Sequence, residues 1–233
     1  MNEALIVPVA ALGDGVQREM RALLARFFEG VRAEDFAADL AEKDRVVLVR
    51  APGGALVGFS TLKLYRTTAT GAPRRVLFSG DTIVAPEAWR SPAAVRGWLR
   101  AVLALRDEAP EPLDWFLLSS GHRTFRVLTT LFRVHHPDPA GDHPALRRRL
   151  AAYARERYGD AFDADRGVVR LARSVHRLRS GVGDVTEARL QDPVVACFAA
   201  RNPGHQDGDE LACLCELDRE NLTAAGRRFL GAR

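Results

Sequence analysis

The sequence predicts a mixed α/β domain of the α+β kind. It has a central sheet of antiparallel and parallel strands, helices on both faces, and an α/β addition toward the C-terminal end. Three observations carry this. The segment from Arg74 to Pro137 reads strand, helix, strand, helix. An antiparallel strand pair, Val46 to Val49 and Leu56 to Tyr65, flanks the turn Ala51-Pro52-Gly53-Gly54 just before it. Polar residues also stand where strand interiors are normally apolar: Ser79-Gly80-Asp81-Thr82 interrupts one strand, and Ser119-Ser120-Gly121-His122-Arg123 ends the next. Polar ends on two neighbouring buried strands indicate a site rather than pure core.

The elements follow in order. Leu5-Ile6-Val7 and Val9 form a first strand, and Gly13-Asp14-Gly15 turns into a helix carrying Met20, Leu23, Leu24, Phe27 and Phe28 at helical spacing. A short second helix lies around Phe36, Ala37 and Leu40, before the hairpin. After the loop Thr67 to Pro73 comes the strand Arg75 to Val84. Ser91-Pro92 then has the cap and first-turn pair of a helix with Val95, Trp98, Leu99, Val102 and Leu103 on its apolar stripe. The strand Leu113 to Leu118 follows, and a crossover between two parallel strands is right-handed. A boundary is expected near Pro137, giving a core of residues 1–137 and an extension of 138–233, with a loop through Gly141-Asp142 and a basic helix from Pro144 to Tyr158. Residues Val168 to Arg179 fit either a strand or a helix. Beyond them lie a helix from Asp192-Pro193 to Arg201, a strand Glu210 to Leu217, and a terminal helix Glu220 to Leu230.

Composition narrows the function classes. The chain has 233 residues, 47% apolar and 27% charged, which suits one large domain or a domain with an extension. No apolar run approaches the roughly 20 residues that span a bilayer. Met1-Asn2-Glu3 lacks the basic flank and apolar run of a secretory signal, so a cytoplasmic location and no membrane partner are expected. The net charge of +4 rests on arginine, with Lys43 and Lys63 the only lysines. That reads as a proteome-wide bias, so no nucleic-acid partner is expected. Cys197, Cys213 and Cys215 are an odd set without a C-x-x-C pair; they read as buried small hydrophobes, and no metal is expected. His135-His136 lacks the H-E-x-x-H pattern. The tryptophans Trp89, Trp98 and Trp115 read as packing residues.

This order of elements resembles the GNAT acetyltransferase superfamily over about the first three-fifths of the chain. The resemblance makes Arg75 to Val84 the fourth strand, Ala85 to Ser91 the phosphate loop, Leu113 to Ser120 the fifth strand, and Arg123 to Phe132 the following helix, with Phe125, Leu128 and Phe132 buried. It implies that the parallel fourth and fifth strands splay apart and admit an acyl thioester. It also implies acetyl-CoA or another acyl-CoA as cofactor and a small-molecule amine, or an acyl carrier, as partner. The family's Gln/Arg-x-x-Gly-x-Gly/Ala loop is replaced here by Ala85-Pro86-Glu87-Ala88-Trp89-Arg90-Ser91. That loop has no glycine, Pro86 lacks an N–H, and Glu87 repels anions. Ile83, Val84, Arg90, Ser91 and the N–H groups beyond it remain the cofactor-binding positions, in a site that either takes acyl-CoA, is adapted to another acyl carrier, or is degenerate.

Three residues are candidates for the chemistry. Gly80 inside a strand marks a bulge or a close backbone approach, and the family has such a bulge in its fourth strand. Asp81 then either takes the proton of an attacking amine or accepts hydrogen bonds that pin the bulge. His122 serves as base, or as acid for a departing thiolate; Ser120, beside Ser119, either bonds the thioester oxygen or caps the next helix. Family members often place a tyrosine in the helix after the fifth strand for the acid role. This chain has none between Tyr65 and Tyr153. Arg123 and Arg126, at helical spacing, either recruit a phosphopantetheine arm or are solvated. Two functions stand from these readings: an N-acyltransferase working by direct attack, or a catalytically silent GNAT-like module that binds a small ligand or partner protein.

Overall fold

A computed structural model describes residues 2–89, 91–170 and 177–231. The strands and helices in chain order are β1 (Glu3–Pro8), α1 (Asp14–Leu24), β2 (Phe28–Glu29), α2 (Ala33–Ala41), β3 (Arg45–Arg50), β4 (Leu56–Thr67), β5 (Arg74–Val84), α3 (Ala93–Asp107), β6 (Leu113–Ser119), α4 (His122–Leu131), β7 (His135–His136), α5 (Pro144–Tyr158), β8 (Phe162–Asp163), β9 (Val168–Val169), β10 (Arg177–Leu178), α6 (Glu187–Leu190), α7 (Pro193–Arg201), β11 (Glu210–Glu216) and α8 (Ala224–Gly231). The main sheet runs β1-β3-β4-β5-β6-β11-β9-β8, with β7 also on β11; β10 and β2 form a separate pair. The pair β5 and β6 is parallel, whereas β4 and β11 flank it antiparallel.

Period-two alternation sorts the side chains. Leu77, Trp115, Leu117, Cys213 and Cys215 point to one face, where α3, α4 and α8 cover them. Val76, Phe78, Phe116, Ala212 and Leu214 point to the other, under α5. Residues of α1 and α2 close the sheet near β3 and β4. Fully burying each such Leu, Val or Phe stabilises by about 1.5–3 kcal/mol. Among the described residues no helix is long and apolar enough to cross a membrane.

Several sequence expectations shift by a turn. The first helix stops at Leu24, and Phe28 leaves it to pair with Leu178 in a short strand. Backbone pairing with β10 overrides the helical spacing there. Helix α3 begins at Ala93, one residue beyond the expected pair, with Ser91 Oγ accepting from the Ala93 N–H at 3.3 Å. The terminal helix begins at Ala224 rather than Glu220, because Asp218 first turns the chain through the Glu220 N–H. In the ambiguous stretch, 168–169 and 177–178 are strands, and 171–176 lie outside the described residues. Trp98 and Trp115 pack together at 4.3 Å, but Trp89 is 46% exposed and is no core residue.

The residues beyond 137 are woven into the sheet. Strand β11 lies against β6 from Leu211↔Ser119 to Glu216↔Asp114. Helix α5 is pinned there by the buried Asp114, which accepts from Tyr153 Oη at 2.8 Å and from Arg74 Nε at 2.9 Å and lies 3.3 Å from Arg149. An unpaired buried carboxylate is strongly unfavourable, so this network fixes the helix in one place. At the opposite edge of the crossover, Arg75 donates to the carbonyls of Leu105, Arg106 and Ala109, tying the C-terminal end of α3 to β5.

Candidate functional site

Parallel pairing of β5 and β6 runs only from Arg75↔Leu113 to Ser79↔Leu117. Trp115 Nε1 donates to Ser79 Oγ at 2.9 Å where that pairing stops. Beyond it β5 stays with β4, and β6 stays with β11. The two strands therefore part, and a cavity of about 1350 Å³ opens between them. Eight of the nine candidate residues line it: Asp81, Ile83, Val84, Ser91, Ser120, His122, Arg123 and Arg126. The ninth, Arg90, lies outside the described residues.

The bulge is real and sits where glycine suggested it. Ser60 faces Thr82 and Leu62 faces Ser79, so Gly80 and Asp81 together oppose the single residue Thr61. A Cβ on Gly80 would lie 2.6 Å from Thr61 Oγ1 and 2.7 Å from Lys43 Cε, so only glycine fits the backbone this close to its neighbours. The extra residue turns Asp81 into the cavity. Its carboxyl makes no hydrogen bond or ion pair among the described residues. Burial pushes its pKa up to about 7; Asp39 and Glu210 add to the rise, and Lys43 opposes it.

Ser120 does not cap α4. It donates to Glu210 Oε1 at 2.5 Å, joining β6 to β11 at the cavity wall. Burial raises the Glu210 pKa, and the Ser120 hydrogen bond counters it. His122 is 5% exposed, and its Nδ1 has no hydrogen-bond partner among the described residues. Burial, with Arg123 and Arg189 nearby, lowers its pKa, so the ring is neutral at neutral pH. Arg123 lays its guanidinium 3.8 Å from the centroid of the Trp89 ring. Burial together with Arg189 and Arg126 depresses its pKa, the signature of several cations facing one space. Arg126 is held by Asp192 at 2.7 Å.

The sequence reading missed several cavity residues, Asp39, Glu42, Arg157, Tyr158, Arg189 and Glu210 among them. Arg157 and Tyr158 end α5, Arg189 belongs to α6, and Glu210 opens β11. Tyr158 accepts from Arg157 Nε at 3.3 Å, and burial raises its pKa, so its phenol stays protonated. It supplies a tyrosine where the helix after β6 has none. Only Glu210 carried a sequence signal, as a carboxylate at the start of an alternating apolar strand. The expected repulsion by Glu87 is also absent from the cavity: its carboxylate lies 3.1 Å from Arg26 and does not line the space. Arg123, Arg126 and Arg189 line the cavity together with Asp192 and the first turn of α3, and Asp39, Glu42, Asp81 and Glu210 line it together with Arg157.

No family model and no curated protein matches the chain. Among solved structures it is similar to a conserved protein of unknown function from Enterococcus faecalis, at 15% identity over 53% of this chain and 31% of that one, with a TM-score of 0.40. The matched region thus spans about a third of the length of that protein. It is similar to a GNAT family N-acetyltransferase from Escherichia coli solved in complex with CoA, at 14% identity over 55% and 69% of the two chains, with a TM-score of 0.41. It is also similar to an IAA acetyltransferase from Bacillus cereus, at 12% identity over 58% and 80%, with a TM-score of 0.39. These likenesses say nothing of activity. The chain's own sheet has a bulged β5 and a parallel neighbour β6 that diverges from it, the arrangement that the resemblance to the GNAT superfamily implies.

Proposed function

We infer that the protein moves an acyl group from a phosphate-bearing thioester, acyl-CoA or another acyl carrier, to an amine by direct attack. The observation that supports this most is the unpartnered Asp81 carboxyl, held near neutrality by its surroundings and facing a cavity between two splayed parallel strands. A general base works best when its pKa lies near the working pH. Among the described residues Trp115 and the residues beyond 137 line the gap and leave it open, whereas a gap filled by Phe125, Trp115 or the tail would favour a silent binding module.

The residues fit such a donor. The N–H groups in the first turn of α3 lack intrahelical acceptors, and Ala94 and Val95 line the cavity there. Arg123 and Arg189 add cations suited to phosphate. This replaces the missing glycine loop with side-chain charge. A bound thioester supplies an activated carbonyl carbon and a thiolate leaving group. Asp81 takes the amine proton as the C–N bond forms, and the C–S bond breaks. Tyr158 protonates the departing sulfur, so one proton passes in net from nitrogen to sulfur, and solvent returns the tyrosine proton. Ser120 and Glu210 orient the neutral amine, Glu210 by accepting a hydrogen bond from its N–H. His122, neutral and buried, shapes the wall. In this reading residues 1–137 form the acyltransferase core, and 138–233 complete its site with Tyr158, Arg189 and Glu210.

The test is thioester consumption by purified protein with acetyl-CoA and a panel of mono- and diamines. Turnover that Asp81→Asn lowers about 10²-fold or more supports the reading. No turnover with any amine, together with no calorimetric binding of CoA, rejects it.

A further inference from the structure

Lys43 is one of two lysines in a chain whose other basic residues are arginine. Its side chain is 0% exposed. Its Nζ donates to Asp39 Oδ1 at 2.5 Å and to the Asp39 carbonyl at 3.0 Å, and it lies 6.0 Å from the Phe78 ring centroid. A buried ammonium without a partner is strongly disfavoured, so the lysine and Asp39 are one unit. That unit is wedged under the bulge. Lys43 Cε occupies the space a Gly80 side chain would need, beside Thr61 Oγ1, which has no hydrogen-bond partner among the described residues. Asp39 stands in the cavity wall on the same side as Asp81.

We propose that Asp39 and Lys43 form a charge couple clamped beneath the β5 bulge that positions Asp81 and sets the field at its carboxyl group. This rests on reading Asp81 as the proton acceptor. A carboxyl in this cavity with no cation nearby would hold its proton too tightly to act as a base. One bridged directly to a lysine would hold it too weakly to take a proton from an amine. Lys43 reaches Asp81 as a neighbouring charge and spends its hydrogen bonds on Asp39, which gives the intermediate case. The other groups around Asp81 do not replace the couple. Glu210, from β11, repels it, as Asp39 does. Arg157, from α5, lies over the Phe78 ring at 4.4 Å and 3.4 Å from Glu42, Tyr158 is neutral, and His122, from α4, is neutral. Lys43 is thus the positive charge that acts on Asp81.

The two halves of the couple act in opposite directions, which a packing role would not produce. The experiment is a ¹³C-carboxyl NMR titration of Asp81 in the full chain without substrate, for the wild type, Lys43→Met and Asp39→Asn. An opposite charge at close range moves a carboxyl by about 1–3 pH units. Lys43→Met moves the Asp81 midpoint up by about one unit, and Asp39→Asn moves it down. Midpoints that stay put, or that move the same way in both variants, overturn the proposal. Should Lys43→Met fail to fold, Lys43→Gln, which keeps the stem and an amide that can still donate to Asp39, takes its place with the same upward shift expected. The titration needs no turnover, so it fails or holds independently of the acyltransfer assay. In a turning-over protein the acidic limb of kcat/KM follows the same two directions.

Discussion

Replacing Asp81 by asparagine separates a catalytic carboxyl from a structural one, because the account predicts opposite effects on activity and stability. The folded pKa is raised from 3.8 to about 7. Between those values the folded protein binds more protons than the unfolded chain, so stability falls as pH rises through that window and is flat above it. The raised pKa therefore means that ionising Asp81 works against folding at pH 8 and not at pH 4. About three units at ~1.4 kcal/mol each set a ceiling of about 4 kcal/mol. The carboxyl touches the open cavity, and solvent there screens roughly half, leaving ~2 kcal/mol. For a chain of this size that is about 4–8 °C in melting temperature. Asp81→Asn should raise Tm by that amount at pH 8, change it little at pH 4, and abolish most thioester turnover. The assay is differential scanning calorimetry at both pH values beside the thioester assay. Equal destabilisation at both pH values would refute the reasoning, because it would make Asp81 a hydrogen-bond acceptor holding the bulge.

Gly80→Ala places a methyl 2.6 Å from Thr61 Oγ1 and 2.7 Å from Lys43 Cε, so it should cost about 1–3 kcal/mol by denaturant unfolding; full stability would mean the bulge is looser than described. Tyr153→Phe removes a hydrogen bond to the buried Asp114 and should cost about 1.5–3 kcal/mol, measured the same way, with turnover also reduced because α5 carries Tyr158. Tyr158→Phe should lower turnover about 10²-fold with little loss of stability, read from steady-state kinetics beside a melting curve.

Much of the frame was legible because local rules agree with the global fold. Alternation in Leu113 to Leu118, the helix period after Ser91-Pro92, and the turn at Ala51 to Gly54 each specify an element by themselves. Gly80 inside a strand announced the bulge beside Asp81, and the polar end of the strand Leu113 to Ser120 pointed to His122; both residues line the cavity. What stayed hidden is what distant segments bring together. Lys43 reaches the bulge from the end of α2, Tyr158 from α5 and Glu210 from β11. No spacing in the sequence encodes those meetings, since they depend on β11 lying against β6 and on Asp114 fixing α5. Phe28 misled for a related reason: its helical spacing from Leu24 was real, yet the partner strand lies about 150 residues later.

The most direct measurement is a calorimetric titration of CoA into the wild type and into the Arg123→Ala/Arg189→Ala double variant at low and moderate salt. The account predicts saturable binding to the wild type that weakens with salt, and a loss of at least about tenfold in the double variant, in keeping with the worth of charge-assisted phosphate contacts. Absence of binding to the wild type, or binding of equal strength in the variant, would contradict the claim that the cleft between β5 and β6 receives a phosphate-bearing thioester.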